Sequence, residues 1–153
     1  MEDRELFGEL WQRESETTRK VFERIPEGSD YRPDPRSRTA QEIAWQMVCE
    51  ERAILDGLRE GRVAWNPEPM PASIADLLAA YDAWREEVPE RLAALTPEQW
   101  AGEVDLAGHV APAGRMAWSF LFDLVHHRGQ LTTYLRPMGS TVPQIYGPSA
   151  DEP

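Results

Sequence analysis

Asp123 and His127 lie four residues apart in a stretch with helical spacing, so their side chains leave one face of a helix. Met116, Phe120, Leu124, Leu131, Tyr134 and Leu135 fall within about 60° either side of the centre of that face, at ~100° per residue. An acid and an imidazole set in an apolar stripe are costly unless they are paired, hydrogen-bonded or bound to a metal. Two arrangements meet that condition. The pair can supply two metal ligands, completed from another helix, or it can form a buried Asp–His hydrogen bond that fixes helix register. His126 is about 100° round from His127 and is expected on the flank of the helix.

Gln46 and Glu50 form a second i,i+4 pair at the edge of another apolar stripe. A bundle site takes ligands from facing helices, often carboxylates and histidines. The competing reading is a solvated flank, because Glu50-Glu51-Arg52 is a charge run. Cys49 is the only cysteine and reads as an inert small hydrophobe. His109 follows a glycine and is expected in an exposed loop, while Trp45, Trp84 and Trp118 are expected in the core or at a dimer interface. The phosphate loop, G-x-G-x-x-G, H-E-x-x-H and G-x-S-x-G motifs are missing, which argues against nucleotide-driven and serine hydrolase chemistry.

These residues must be positioned by helices separated by proline-rich loops. Phe7, Leu10, Trp11, Val21 and Ile25 give residues 2–25 a helical period. Residues 26–38 hold three prolines and read as a loop. Thr39-Ala40-Gln41-Glu42 has the capping-box pattern for a second helix that stops near Gly61. Residues 62–72 form another loop, and Ser73-Ile74-Ala75-Asp76 caps a third helix, in which Pro89 is expected to cause a kink or restart. Thr96-Pro97-Glu98 opens a short extra turn. Residues 102–112 are ambiguous, with a short extended piece as one option. The last long helix is expected over about 115–136, and the tail from Val142 to Pro153 is expected to lie irregularly over the bundle. Four long amphipathic helices without convincing strands imply an all-α four-helix bundle, a single domain over 1–153.

Sixteen basic against 27 acidic residues give a net charge of −11. Such a field repels phosphate backbones and anionic lipid, so no nucleic acid or membrane partner is expected. The acidic start MEDRELFGELW lacks the pattern of a signal peptide, and a cytoplasmic location is expected.

The segments Ile43-Ala44-Trp45-Gln46-Met47, HHRGQLTTYLRPMG and VPQIYGPSADE resemble the second helix, the last helix and the tail of one branch of the DinB/YfiT-like bundles. The resemblance covers Trp11 to Glu152. It implies an up-down-down-up four-helix bundle, commonly a homodimer, with a divalent metal such as zinc or nickel held by three histidines. Characterised relatives include transferases and isomerases that use low-molecular-weight thiols. Carried onto this sequence, the ligand positions are Gln46, Asp123 and His127, of which only His127 keeps the histidine. A neutral amide is a weak ligand for borderline metals, so the site is degenerate and the metal is expected to be weak or absent, with Glu50 a candidate extra ligand. Two functions follow from the resemblance. One is a metal-dependent thiol transferase or hydrolase for a small molecule, with Gln130 or Tyr134 as orienting groups. The other is a metal-free stress-response bundle that binds a small ligand or a protein.

Overall fold

The computed structural model describes residues 2–153, which form five helices and a small sheet. Helix α1 spans Asp3–Phe22, α2 Ala40–Glu60, α3 Ile74–Ala93, α4 Pro97–Ala101 and α5 Ala113–Leu135. Local chemistry sets most of these ends. The Thr39 hydroxyl accepts from the Glu42 backbone N–H at 3.2 Å, and the Glu42 carboxylate accepts from the Thr39 N–H at 2.7 Å. This capping box starts α2 by satisfying N–H groups that have no partner within the helix. Gly61 ends α2 at φ 74°, a left-handed value that glycine adopts without steric cost. Thr96 starts α4 with a capping box of the same kind, and the Ser73 hydroxyl caps α3 by accepting from the Asp76 backbone N–H. Helix α3 runs through Pro89 as one helix, so no restart occurs there.

The four long helices enclose one apolar core, with α1 packed on α3 and α5, and α2 packed on α5 and α3. Met47, Val48 and Leu58 meet Leu77, Tyr81 and Val88 and, from α5, Leu131 and Leu135 in that core, all fully buried. Fully burying such aliphatic side chains stabilises the fold by roughly 1.5–3 kcal/mol each.

The chain is not purely helical. Strands β1 (Arg62–Val63), β2 (Glu103–Leu106) and β3 (His109–Pro112) form a three-stranded sheet, with β1 parallel to β2 and β2 antiparallel to β3. The ambiguous segment 102–112 is therefore a hairpin. Its two-residue turn, Ala107-Gly108, has φ of 51° and 90°, the conformation that matches strand twist. Part of the 62–72 loop is an edge strand. The sheet packs against α2 at Gly57, where a Cβ would come within 2.7 Å of the Val63 side chain. That close approach requires glycine and holds Val63 and Leu106 beside the α2–α5 seam. No described helix is long and apolar enough to cross a membrane.

The tail beyond α5 is irregular, as expected, and is tied down by ions. Arg136 pairs with Asp151 at 3.0 Å, and Arg24 pairs with Glu152. Tyr146 from the tail reaches Arg128 and Glu14.

Candidate metal centre

Glu50 on α2 and Asp123 and His127 on α5 converge across the seam between the two helices. One ligand atom from each lies within 4.8 Å of the other two. His127 Nε2 is 3.4 Å from Asp123 Oδ2. Two donors bound at about 2.1 Å to a tetrahedral ion are separated by roughly 3.4 Å, so this pair already has the spacing of a shared ion.

The position of the pair on α5 differs from the expected one. The buried stripe of α5 runs through Ala117, Leu121, Leu124, Arg128, Leu131 and Leu135. Asp123 and His127 are rotated roughly 100° to its flank, toward α2. The Asp123 side chain is half exposed, at 49%, and His127 is more covered, at 18%. Neither is a core residue, and the pair is not a buried register lock. The ionic group in the core stripe is instead Arg128.

His127 is oriented from behind. Its Nδ1 lies 2.9 Å from Gln130 Oε1, and the Gln130 amide nitrogen lies 3.2 Å from His126 Nε2. Donation from Nδ1 to the Gln130 amide oxygen would leave the Nε2 lone pair on the Asp123 side, free for an ion held between the two. That tautomer is the one a metal needs. Gln130 thus takes an orienting position. Tyr134 makes no side-chain hydrogen bond to the pair; it lines the cleft that opens on His127 and packs edge-on against Tyr31, with ring centroids 5.7 Å apart.

Glu50 is not on a solvated flank, and neither is its neighbour. Glu50 is half-buried, and burial raises its carboxyl above the usual carboxylate range, against the Gln46 hydrogen bond and the His127 field that lower it. Glu51 is almost fully buried, at 3% exposure. The Gln46 amide nitrogen donates to Glu50 Oε1, which places Gln46 next to the site. Gln46 Oε1 and Glu50 Oε2 are both buried and have no hydrogen-bond partner among the described residues. Such orphaned acceptors are uncommon and mark a place where a cation fits.

Three clefts meet here. The largest, about 740 Å³, is lined by Gln46 and Glu50 together with Trp45, Trp65, Met70 and Phe120. A second, of about 340 Å³, opens on His127, and a third, of about 330 Å³, opens on Asp123. The outer wall of the largest cleft is the segment after β1. Trp45 Nε1 donates to the Glu68 carbonyl at 2.8 Å, and Gln41 donates to the Pro71 carbonyl at 2.8 Å. Arg52 holds Glu68 at 2.9 Å while lying over the Trp45 and Trp84 rings.

The remaining candidates separate clearly. His126 and His109 are exposed, as expected, but His109 opens strand β3 and does not lie in a loop. Cys49 is buried, and desolvation raises its thiol pKa, which suits an inert residue. Trp45 and Trp84 are buried, while Trp118 is partly exposed beside Phe122.

A helical bundle with an open carboxylate–imidazole centre on its α2–α5 seam is the class these observations define. The model of the DinB family matches residues 1–153, and the chain belongs to that family. YrdA of Bacillus subtilis, described as uncharacterized, is 25% identical over 149 residues, 95% of this chain and 89% of that protein. A DinB-like protein from Bacillus cereus superposes with a TM-score of 0.75 at 26% identity, covering 92% of this chain and 95% of the other. A DinB-like protein from Bacillus subtilis, YjoA, gives 0.74 at 22% identity, over 93% and 98% of the two chains, and supports the fold alone.

Proposed function

We propose that this protein binds a divalent first-row cation through Glu50, Asp123 and His127, with Gln46 beside them as an auxiliary oxygen donor, and acts on a small molecule in the adjoining cleft. The observation that carries the reading is the convergence of those three donors on two buried acceptors without partners. Two carboxylates and one imidazole form a harder set than three histidines, suited to zinc, iron or manganese. When bound, such an ion supplies Lewis acidity and lowers the pKa of a water or thiol held on it, the chemistry shared by hydrolases and thiol transferases. The chain contributes the rest. Gln130 fixes the His127 tautomer, Gln46 holds one Glu50 oxygen, and Trp45, Trp65 and Phe120 line the cleft and exclude water beside the reacting group. The metal-free alternative leaves Gln46 Oε1 and Glu50 Oε2 unsatisfied, which counts against it.

We also read the helix order as up-down-down-up over a single domain. Asp3–Trp118 and Glu14–Arg128 contacts support parallel α1 and α5, and Arg4–Leu95 and Arg19–Asp82 support antiparallel α1 and α3. Asp56–Arg91 and Glu51–Trp84 support parallel α2 and α3. A homodimer belongs to the same reading, supported by exposed Phe122 with its ring beside that of Trp118. Light scattering at micromolar concentration is expected to give twice the chain mass, and a monomer would remove the dimer from the proposal.

Calorimetric titration with zinc or manganese tests the centre, on protein purified without a nickel column. One cation per chain is expected for the wild type. Glu50→Ala, Asp123→Ala and His127→Ala should each weaken binding about tenfold or more. Gln46→His adds an imidazole and should strengthen zinc binding about tenfold, or roughly 1.4 kcal/mol. Binding should weaken on acidification, because His127 and Glu50 must lose their protons to coordinate, and the raised pKa of Glu50 starts that loss above the usual carboxylate range. Binding that survives all three alanine substitutions would refute the centre.

A further inference from the structure

The largest cleft combines an apolar wall with a free cation, and both face the candidate centre. Trp65 is 52% exposed and Met70 is 44% exposed. Both line the 740 Å³ cleft opposite Trp45 and Phe120. Arg38 lines this cleft with Glu50, and it also lines the smaller cleft with His127 and Gln130. Its guanidinium therefore stands at the mouth of both approaches to the centre.

The charges around Arg38 are already committed to other partners. Arg32 pairs with Glu42 at 3.1 Å, Arg36 with Asp34 at 3.0 Å and Arg52 with Glu68 at 2.9 Å. Those pairs use up Glu42 and Glu68, the other acids of the cleft. Arg38 has no acidic partner within 4.0 Å among the described residues. Its position is fixed by its neighbour, since Thr39 is locked in the capping box that starts α2. In a chain of net charge −11, an unpaired arginine at the mouth of a cleft marks where an anion is recognised. A divalent cation would balance the two carboxylates Glu50 and Asp123, which leaves the positive charge of Arg38 in excess.

We propose that the ligand of this cleft is a small amphiphilic carboxylate: its apolar body lies against Trp65, Met70 and Phe120, and its acid group pairs with Arg38 at the mouth. The proposal rests on the metal-centre reading for the location of the reacting group. Its recognition elements are separate residues, so the two can fail independently.

The test uses zinc-loaded full-length protein and two probes of the same shape, 4-phenylbutyrate and its uncharged amide 4-phenylbutanamide. Binding is read by tryptophan fluorescence and by calorimetry. The acid is expected to bind about tenfold more tightly than the amide. Arg38→Ala should remove that preference and leave amide affinity unchanged. Trp65→Ala should weaken both probes by a similar factor. Zinc affinity should be unchanged in Trp65→Ala and should not fall in Arg38→Ala, which removes a positive charge near Glu50; unchanged zinc binding in the Glu50→Ala control would count against the metal centre and not against Arg38. Equal affinity of the wild type for acid and amide would overturn the proposal, as would absence of binding by either probe. A preference for acid that persists in Arg38→Ala would show the carboxylate on the metal and would also overturn it.

Discussion

Arg128→Met is expected to cost about 3–5 kcal/mol of stability, the range for leaving one member of a buried ion pair without its partner. Arg128 is 2% exposed and is the largest fully buried side chain. Its guanidinium meets the Glu14 carboxylate at 2.7 Å and donates to the Glu14 carbonyl at 3.1 Å and the Thr18 hydroxyl at 3.4 Å. Tyr146 closes the group from the tail. It accepts from Arg128 at 2.5 Å and donates to Glu14 at 2.6 Å. Removing the cation strands a carboxylate whose side chain is only 11% exposed. Removing both charges together removes the stranded group, so Glu14→Leu combined with Arg128→Met should recover most of the loss. Tyr146→Phe deletes only the bridging hydroxyl and should cost about 1 kcal/mol. Urea midpoints at constant m-value measure all three. A loss below 1 kcal/mol for Arg128→Met, or a double variant no better than the single, would show that the ion pair is not what ties α1, α5 and the tail together.

The cluster at Arg128 also shows which features could be read from the sequence. Helix ends were legible because their causes are local. Thr39, Ser73, Thr96 and Gly61 each act within four residues of themselves. The i,i+4 pair Asp123–His127 was legible for the same reason, but its burial was not. An apolar arc of Met116, Phe120 and Tyr134 overlaps the true core stripe, and only packing against α1 and α2 decides which side of that arc faces inward. Arg128 lies four residues after Leu124 and three before Leu131, inside the true stripe, so the period did contain a signal. The same is true of Glu51. It sits three after Val48 and four before Leu55, on the buried face of α2, yet the charge run Glu50-Glu51-Arg52 suggests solvent. The sheet was harder to see, because a two-residue strand and two four-residue strands are too short to show alternation. Nothing in the sequence marks Arg38, whose importance comes from which of its neighbours are already paired.

Glu51→Gln is expected to stabilise the protein by about 3 kcal/mol at pH 8 and by little at pH 4.5. Glu51 is buried among neutral donors. Tyr81 Oη donates to one carboxylate oxygen at 3.2 Å, and Trp84 Nε1 donates to the other at 3.1 Å. The nearest cation in its surroundings, Arg85, is engaged elsewhere, with Asp82 at 3.5 Å and Ser15 at 3.3 Å. Burial outweighs these hydrogen bonds and pushes the carboxyl from 4.5 up to about 7. Between those two values the folded chain keeps the proton while the unfolded chain has released it. Folding then binds a proton, so stability falls as pH rises from about 4.5 to about 7 and the difference stays constant above that. A neutral amide of the same shape has no proton to lose. Titrations elsewhere affect the variant and the wild type alike, so the difference between the two isolates position 51. Urea unfolding of both proteins at pH 4.5, 6, 7 and 8 should show the gap opening through the middle of that range. A gap of the same size at every pH would mean that Glu51 is ionised in the folded protein throughout, held by Arg85 or by water. In that case the hydrogen bonds from Tyr81 and Trp84 would be serving a charged group in the core.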